Sequence, residues 1–183
     1  MQNHILFIHG GGDDGYKTDR LMADELRNAL GEAYTVHYPE IQSDEHAADF
    51  GWPEAIGKHI AGFDDDILVV AHSLGASMLL KFLSENPVPG NVKAAFLLST
   101  PYWKGDEDWK QGLKLRKDFA EKLPVQIPLF FYHSRDDEVA PLSDLDFYRE
   151  NLPQAHFAVI ERGGHQLEKA LALVAEDIRP VKE

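Results

Sequence analysis

The nine residues Ile67-Leu68-Val69-Val70-Ala71-His72-Ser73-Leu74-Gly75 restrict this chain more than any other stretch. Ile67 to Ala71 is a continuous apolar run, too short for a globular helix and suited to a strand buried on both faces. From Leu74 the pattern changes, and Leu74, Met78, Leu79, Phe82 and Leu83 recur at helical spacing. A strand therefore hands over to a helix with only His72 and Ser73 between them. Ala71 and Gly75, two positions on either side of Ser73, are small enough for the two backbones to cross closely. Such a corner holds the serine in a strained turn with its hydroxyl exposed. The same residue would also serve as a plain helix N-cap, so the rest of the chain has to decide between the two roles.

The same alternation runs on both sides of this corner. Ile5 to Ile8 is a short apolar run that ends in His9-Gly10-Gly11-Gly12, a first buried strand and a glycine-rich turn. Met22, Leu26, Ala29 and Leu30 then share a helix face, with Thr18 or Asp19 as its cap and Gly31 as its stop. Tyr34 to Tyr38 stops at Pro39 and reads as an edge strand. After an acidic loop from Glu40 to Gly51, Trp52, Ile56, His59, Ile60 and Phe63 mark a helix with Pro53 in its first turn. Val92 to Leu98, Ile127 to His133 and Phe157 to Ile160 supply three more strands. Helical spacing returns at Leu142, Leu145, Tyr148 and Leu152, and again at Leu167, Leu171, Val174 and Ile178.

Six strands alternating with helices predict one domain over residues 1–183, an α/β fold in three α/β/α layers around a mostly parallel six-stranded sheet. In such sheets ligands bind beyond the carboxyl ends of the strands. Residues 101–123, with Tyr102, Trp103 and Trp109 among many charges, are longer than a plain crossover needs. They are expected either to cap the serine and line a substrate pocket or to anchor an ordinary crossover on the core.

Formal net charge is −13, from 31 acids against 18 bases, which disfavours a nucleic-acid or anionic-membrane surface. The absence of cysteine excludes disulfides, thiolate metal sites and a cysteine nucleophile. No basic segment followed by a long apolar run opens the sequence, so a cytoplasmic location is expected. His4, His37, His59 and His156 are scattered and read as surface residues rather than metal ligands. No metal or cofactor is required. Oligomeric state leaves no mark on the sequence.

Serine becomes a nucleophile when a base takes its proton and a third group orients that base. The loop after the fifth strand reads His133-Ser134-Arg135-Asp136-Asp137-Glu138-Val139-Ala140-Pro141, and the loop after the sixth contains Gly163-Gly164-His165. Each has a plain reading, a solvated acidic turn and a surface histidine. Together they place an acid and a histidine after successive buried strands, behind the serine in chain order. A rival reading starts from Gly10-Gly11-Gly12-Asp13-Asp14-Gly15, which satisfies G-x-G-x-x-G after a strand, with Glu40 where a dinucleotide fold would bind ribose. It points Asp13 and Asp14 at a pyrophosphate and leaves Ser73, the acids and His165 without a role. A third reading is a non-catalytic binding module on the same scaffold.

From first strand to last helix the chain resembles the α/β-hydrolases, nearest in style to the small single-domain serine hydrolases of the retinoblastoma-binding-protein-9 type. Ala71 stands where glycine is usual in that elbow. The resemblance implies His9-Gly10 as the family's His-Gly, Ser73 as nucleophile and His165 as base. It puts the acid at Asp137, four residues before Pro141, with Asp136 the nearest competitor. It also implies an oxyanion hole made by the N–H groups of Leu74 and of Gly11, or alternatively Gly12. Such a triad serves esters, amides, thioesters and some carbon–carbon bonds alike; hydrolysis of a small-molecule ester through an acyl-enzyme, without a cofactor, is the expected activity because an ester's leaving group demands least.

Overall fold

The computed structural model describes residues 3–182. Its strands are β1 (Asn3–Ile8), β2 (Tyr34–His37), β3 (Ile67–His72), β4 (Val92–Leu98), β5 (Leu129–Ser134) and β6 (His156–Ile160). All neighbouring pairs are parallel, in the order β2-β1-β3-β4-β5-β6. The helices are α1 (Gly15–Leu30), α2 (Trp52–Ala61), α3 (Leu74–Glu85), α4 (Phe119–Lys122), α5 (Leu142–Asn151) and α6 (Leu171–Ile178).

Each strand sends alternate side chains to opposite faces, so the sheet builds two cores. Leu6, Ile8, Val69, Ala71 and Leu97 join α2, α3 and α5 on one side. Ile5, Phe7, Leu68, Val70 and Phe96 join α1 and α6 on the other. Every residue of β3 is buried, as its unbroken apolar run requires. Burying one such aliphatic side chain contributes roughly 1.5–3 kcal/mol. Among the described residues no helix is long and apolar enough to cross a membrane.

Two helix starts differ from the sequence expectation. Helix α1 begins at Gly15, with Asp14 rather than Thr18 or Asp19 at its N-cap position, and Asp19 lies buried inside the helix. The last helix begins at Leu171, because Leu167 and Lys169 adopt left-handed backbone (φ 50° and 63°) in the turns that follow His165. Leu167 is still fully buried, so its apolar spacing reflects core packing from a turn and not from a helix.

The segment expected as either a cap or an anchored crossover forms a 3₁₀ turn at Asp108–Leu113 and the single turn α4, both packed beside α3. A Cβ added at Gly112 would lie 1.9 Å from the Ala48 carbonyl oxygen, so this segment is pressed against the loop that precedes α2.

Candidate active site

Because the sheet is parallel, the ends of β1, β3, β5 and β6 share one edge, and the loops leaving them converge there. The corner between β3 and α3 is as tight as its small residues suggest. Ser73 has φ 52° and ψ −122°, a conformation that costs a non-glycine residue of order 1–3 kcal/mol. Its N–H is held by the Leu98 carbonyl at 2.9 Å. A Cβ at Gly75 would lie 2.3 Å from the His9 carbonyl oxygen, so only glycine lets α3 pass under the end of β1.

The Ser73 hydroxyl makes no capping bond to α3. It lies 2.8 Å from His165 Nε2, and His165 Nδ1 lies 2.9 and 3.0 Å from the two oxygens of Asp137. Asp137 accepts only, so Nδ1 carries the proton and Nε2 is left to accept from Ser73. The Asp137 carboxylate is fully shielded from solvent. Burial alone would push its carboxyl up. The His165 hydrogen bond and the N–H groups of Ala140 and Val139 outweigh that and hold it below the usual carboxylate range.

Asp136 has a different task. Its Oδ1 accepts from the Ser134 hydroxyl at 2.5 Å and from the Gly163 and Gly164 N–H groups at 3.0 Å each. The Ser134 hydrogen bond, followed by that of Gly164, lowers its carboxyl to about 2. Asp136 thus shapes the loop that carries His165 and does not touch the imidazole. Glu138 is exposed.

Sequence reasoning missed one buried pair, His72 and Asp19, of which only Asp19 was expected to have a role, that of a helix cap. His72 Nδ1 lies 2.6 Å from Asp19 Oδ2, and His72 Nε2 lies 2.9 Å from the His165 carbonyl oxygen. Ser99 Oγ donates to that same carbonyl at 2.8 Å. Asp19 Oδ2 also accepts the Gly10 N–H at 2.6 Å. The pair therefore ties the glycine loop after β1 to the backbone of His165. Burial raises the Asp19 carboxyl, but the hydrogen bond and charge of His72 together with the Gly10 N–H bring it below its ordinary value. The available signal was position: Asp19 precedes Met22, Ala23, Leu26 and Leu30 on the buried face of α1, where a carboxylate needs a partner.

Removing one member of such a pair leaves an uncompensated buried group, so Asp19→Ala should destabilise the fold by about 3–5 kcal/mol. Since the folded carboxyl is depressed, wild type holds this contribution above the ordinary carboxylate range and loses it as pH falls through the folded value. Thermal melts of both proteins from pH 3 to 7 check this, the gap narrowing toward acid. Equal melting temperatures at neutral pH would contradict the account.

The glycine loop lies directly over the corner. A Cβ at Gly11 would lie 2.5 Å from Leu74 Cδ2, while Gly12 has φ 91° with open space beside it. His9 fixes the start of this loop, its Nε2 accepting the Ile41 N–H at 2.8 Å and its Nδ1 donating to the Gly10 carbonyl at 2.6 Å. Burial holds the His9 imidazole below its ordinary range. With the Gly10 N–H engaged by Asp19, this loop does not present the run of free amides that a pyrophosphate site needs.

A cavity of about 650 Å³ opens at Ser73 between Gly11, Leu74, Trp103, Trp109 and Leu113. Trp103 donates its indole N–H to Ser77 Oγ at 3.0 Å and meets Trp109 edge-on at 5.8 Å. Tyr102, expected in the same wall, is not part of the lining. Its ring stacks on Phe147 of α5 at 3.5 Å, and its N–H is bound by Asp144, because successive residues of an extended segment face opposite ways. On the other side of Ser73 a cavity of about 250 Å³ is lined by Gly10, Gly15, Thr18, His165 and Gln166 among others.

Solved structures share the fold at low sequence identity. A meta-cleavage product hydrolase (CumD) variant superposes with a TM-score of 0.74 at 17% identity, over 98% of this chain and 92% of that one. The thioesterase domain from the curacin biosynthetic pathway gives 0.73 at 17% identity, over 98% and 91%. Arabidopsis thaliana SOBER1 gives 0.70 at 15% identity, over the full length of both chains. No curated protein matches the sequence. The family model described as serine hydrolase matches residues 22–171, which span the serine corner, the acidic loop and His165, and the chain belongs to that serine hydrolase family.

Proposed function

We propose that the protein hydrolyses a small-molecule carboxylic ester through an acyl-enzyme, with Ser73 as nucleophile, His165 as general base and acid, and Asp137 as the group that orients the base. The observation that carries this reading is the continuous path Ser73 Oγ to His165 Nε2 at 2.8 Å and His165 Nδ1 to Asp137 at 2.9 Å.

The steps follow from that geometry. Ser73 Oγ attacks the ester carbonyl carbon as its proton passes to His165 Nε2, and Asp137 stabilises the imidazolium. The carbonyl oxygen becomes an oxyanion that receives the Leu74 and Gly11 N–H groups, an arrangement worth ~10²–10³-fold per donor in comparable sites. The carbon–oxygen bond to the alcohol breaks, and the departing oxygen takes the proton from His165. Water then attacks the acyl carbon and gives its proton to His165, which returns one to Ser73 Oγ as the carboxylic acid leaves. No cofactor enters this sequence.

Release of p-nitrophenol from esters of graded acyl length tests the reading. Since only neutral imidazole accepts the serine proton, kcat/KM should rise with pH through a single ionisation and then level off. A profile that stays flat over the whole pH range in which the protein remains folded would remove His165 from the role of base.

A further inference from the structure

The structure assigns the two halves of the substrate to the two cavities that meet at Ser73. On the ester-hydrolase reading above, the larger cavity takes an apolar acyl group of medium length and the smaller takes a short hydroxylated leaving group.

The direction follows from where the proton has to go. Ser73, Gly11 and Gly12 border both cavities, whereas His165 borders only the smaller. When the tetrahedral intermediate collapses, the carbon–oxygen bond to the alcohol breaks and that oxygen takes the proton held on His165 Nε2. A general acid must lie within hydrogen-bond reach of the atom it protonates, so the leaving group sits on the His165 side. The acyl chain then extends to the opposite side of Ser73.

Size divides the same way, and hydrocarbon and indole side chains border only the larger cavity, alongside polar groups such as Tyr16, Gln42 and Ser43. The leaving-group cavity is about 250 Å³, and its lining holds glycine backbone together with the polar side chains of Asp14, Thr18 and Gln166 and no hydrocarbon side chain. A hydroxylated alcohol finds partners there, while an alkyl chain would strip these groups of water without replacing their hydrogen bonds. The acyl cavity is about 650 Å³ and is walled by Ile41, Phe50, Leu74, Trp103, Trp109 and Leu113. Three exposed carboxylates, Asp13, Glu40 and Glu45, also border it and disfavour an anionic acyl chain.

Two constitutional isomers separate the assignments, 2-hydroxyethyl hexanoate and hexyl glycolate. Their composition is the same, but the hydroxyl and the alkyl chain exchange sides of the ester. The glycolate carbonyl is the more electrophilic, which weights the comparison against the expected result. The protein should prefer 2-hydroxyethyl hexanoate by at least ~10-fold in kcat/KM. Trp109 is 53% exposed, so Trp109→Ala should fold normally. It should lower kcat/KM for the hexanoate by ~10-fold, and for 2-hydroxyethyl acetate, whose acyl group is too short to reach the indole, by less than ~2-fold.

Fluorophosphonate labelling of Ser73 on the same preparation distinguishes the two levels of the argument. Labelled protein that shows equal or reversed preference, or that turns over neither isomer, overturns the cavity assignment and leaves the serine hydrolase standing. Protein that is neither labelled nor active overturns the hydrolase reading and this inference with it.

Discussion

Asparagine at Asp137 should lower kcat for an ester by ~10⁴-fold, roughly 5 kcal/mol of transition-state stabilisation, with KM nearly unchanged. The physical cause is the tautomer of His165. Asp137 Oδ1 is fixed by the N–H groups of Val139 and Ala140 at 2.8 and 2.9 Å, so the amide nitrogen of an asparagine would take the Oδ2 position. That position faces His165 Nδ1 at 2.9 Å. A donor there makes Nδ1 the acceptor and moves the proton to Nε2, which can then no longer take one from Ser73. Asparagine at Asp136 is the matched control. All three donors to Asp136 converge on Oδ1, and an asparagine keeps an oxygen for them, so kcat should fall by less than ~10-fold. Steady-state kinetics of the two variants decide the matter. If Asp136→Asn is the more damaging, the orienting acid has been placed one residue too late.

The path of the chain was legible where burial alone dictates it. Ile5 to Ile8 of β1, Ile67 to Ala71 of β3 and Ala94 to Leu98 of β4 are apolar runs covered on both faces, and a run of that kind has few other homes in a globular domain. The serine corner was legible for a related reason, since close crossing of strand and helix demands small neighbours and Gly75 is one that cannot be enlarged. Pairwise facts across long separations were not. Asp19 and His72 stand far apart in the chain, and nothing local to either announces a 2.6 Å contact. Asp19 was expected as a helix cap because Asp is a common N-cap residue, whereas the helix starts earlier, within the glycine loop. The start of α6 misled because Leu167 and Leu171 keep helical spacing while the backbone between them turns left-handed. Tyr102 misled because adjacent aromatics in an extended segment divide between pocket and core.

Ser73 should carry the largest single effect. Removing its hydroxyl removes the atom that forms the acyl-enzyme, and in a triad that acts as a unit the loss is ~10⁶-fold in kcat. Stability should change little or improve, since Ser73→Ala keeps a small residue at φ 52° and deletes no bond that holds the fold. A variant that loses activity and stability together would point to a structural serine instead. The decisive measurement is the intact mass of wild type and Ser73→Ala after exposure to a fluorophosphonate, with the modified peptide sequenced. Wild type should gain one phosphonyl group on Ser73 and the variant none; equal labelling of the two proteins, or none of either, would contradict the assignment of Ser73 as nucleophile.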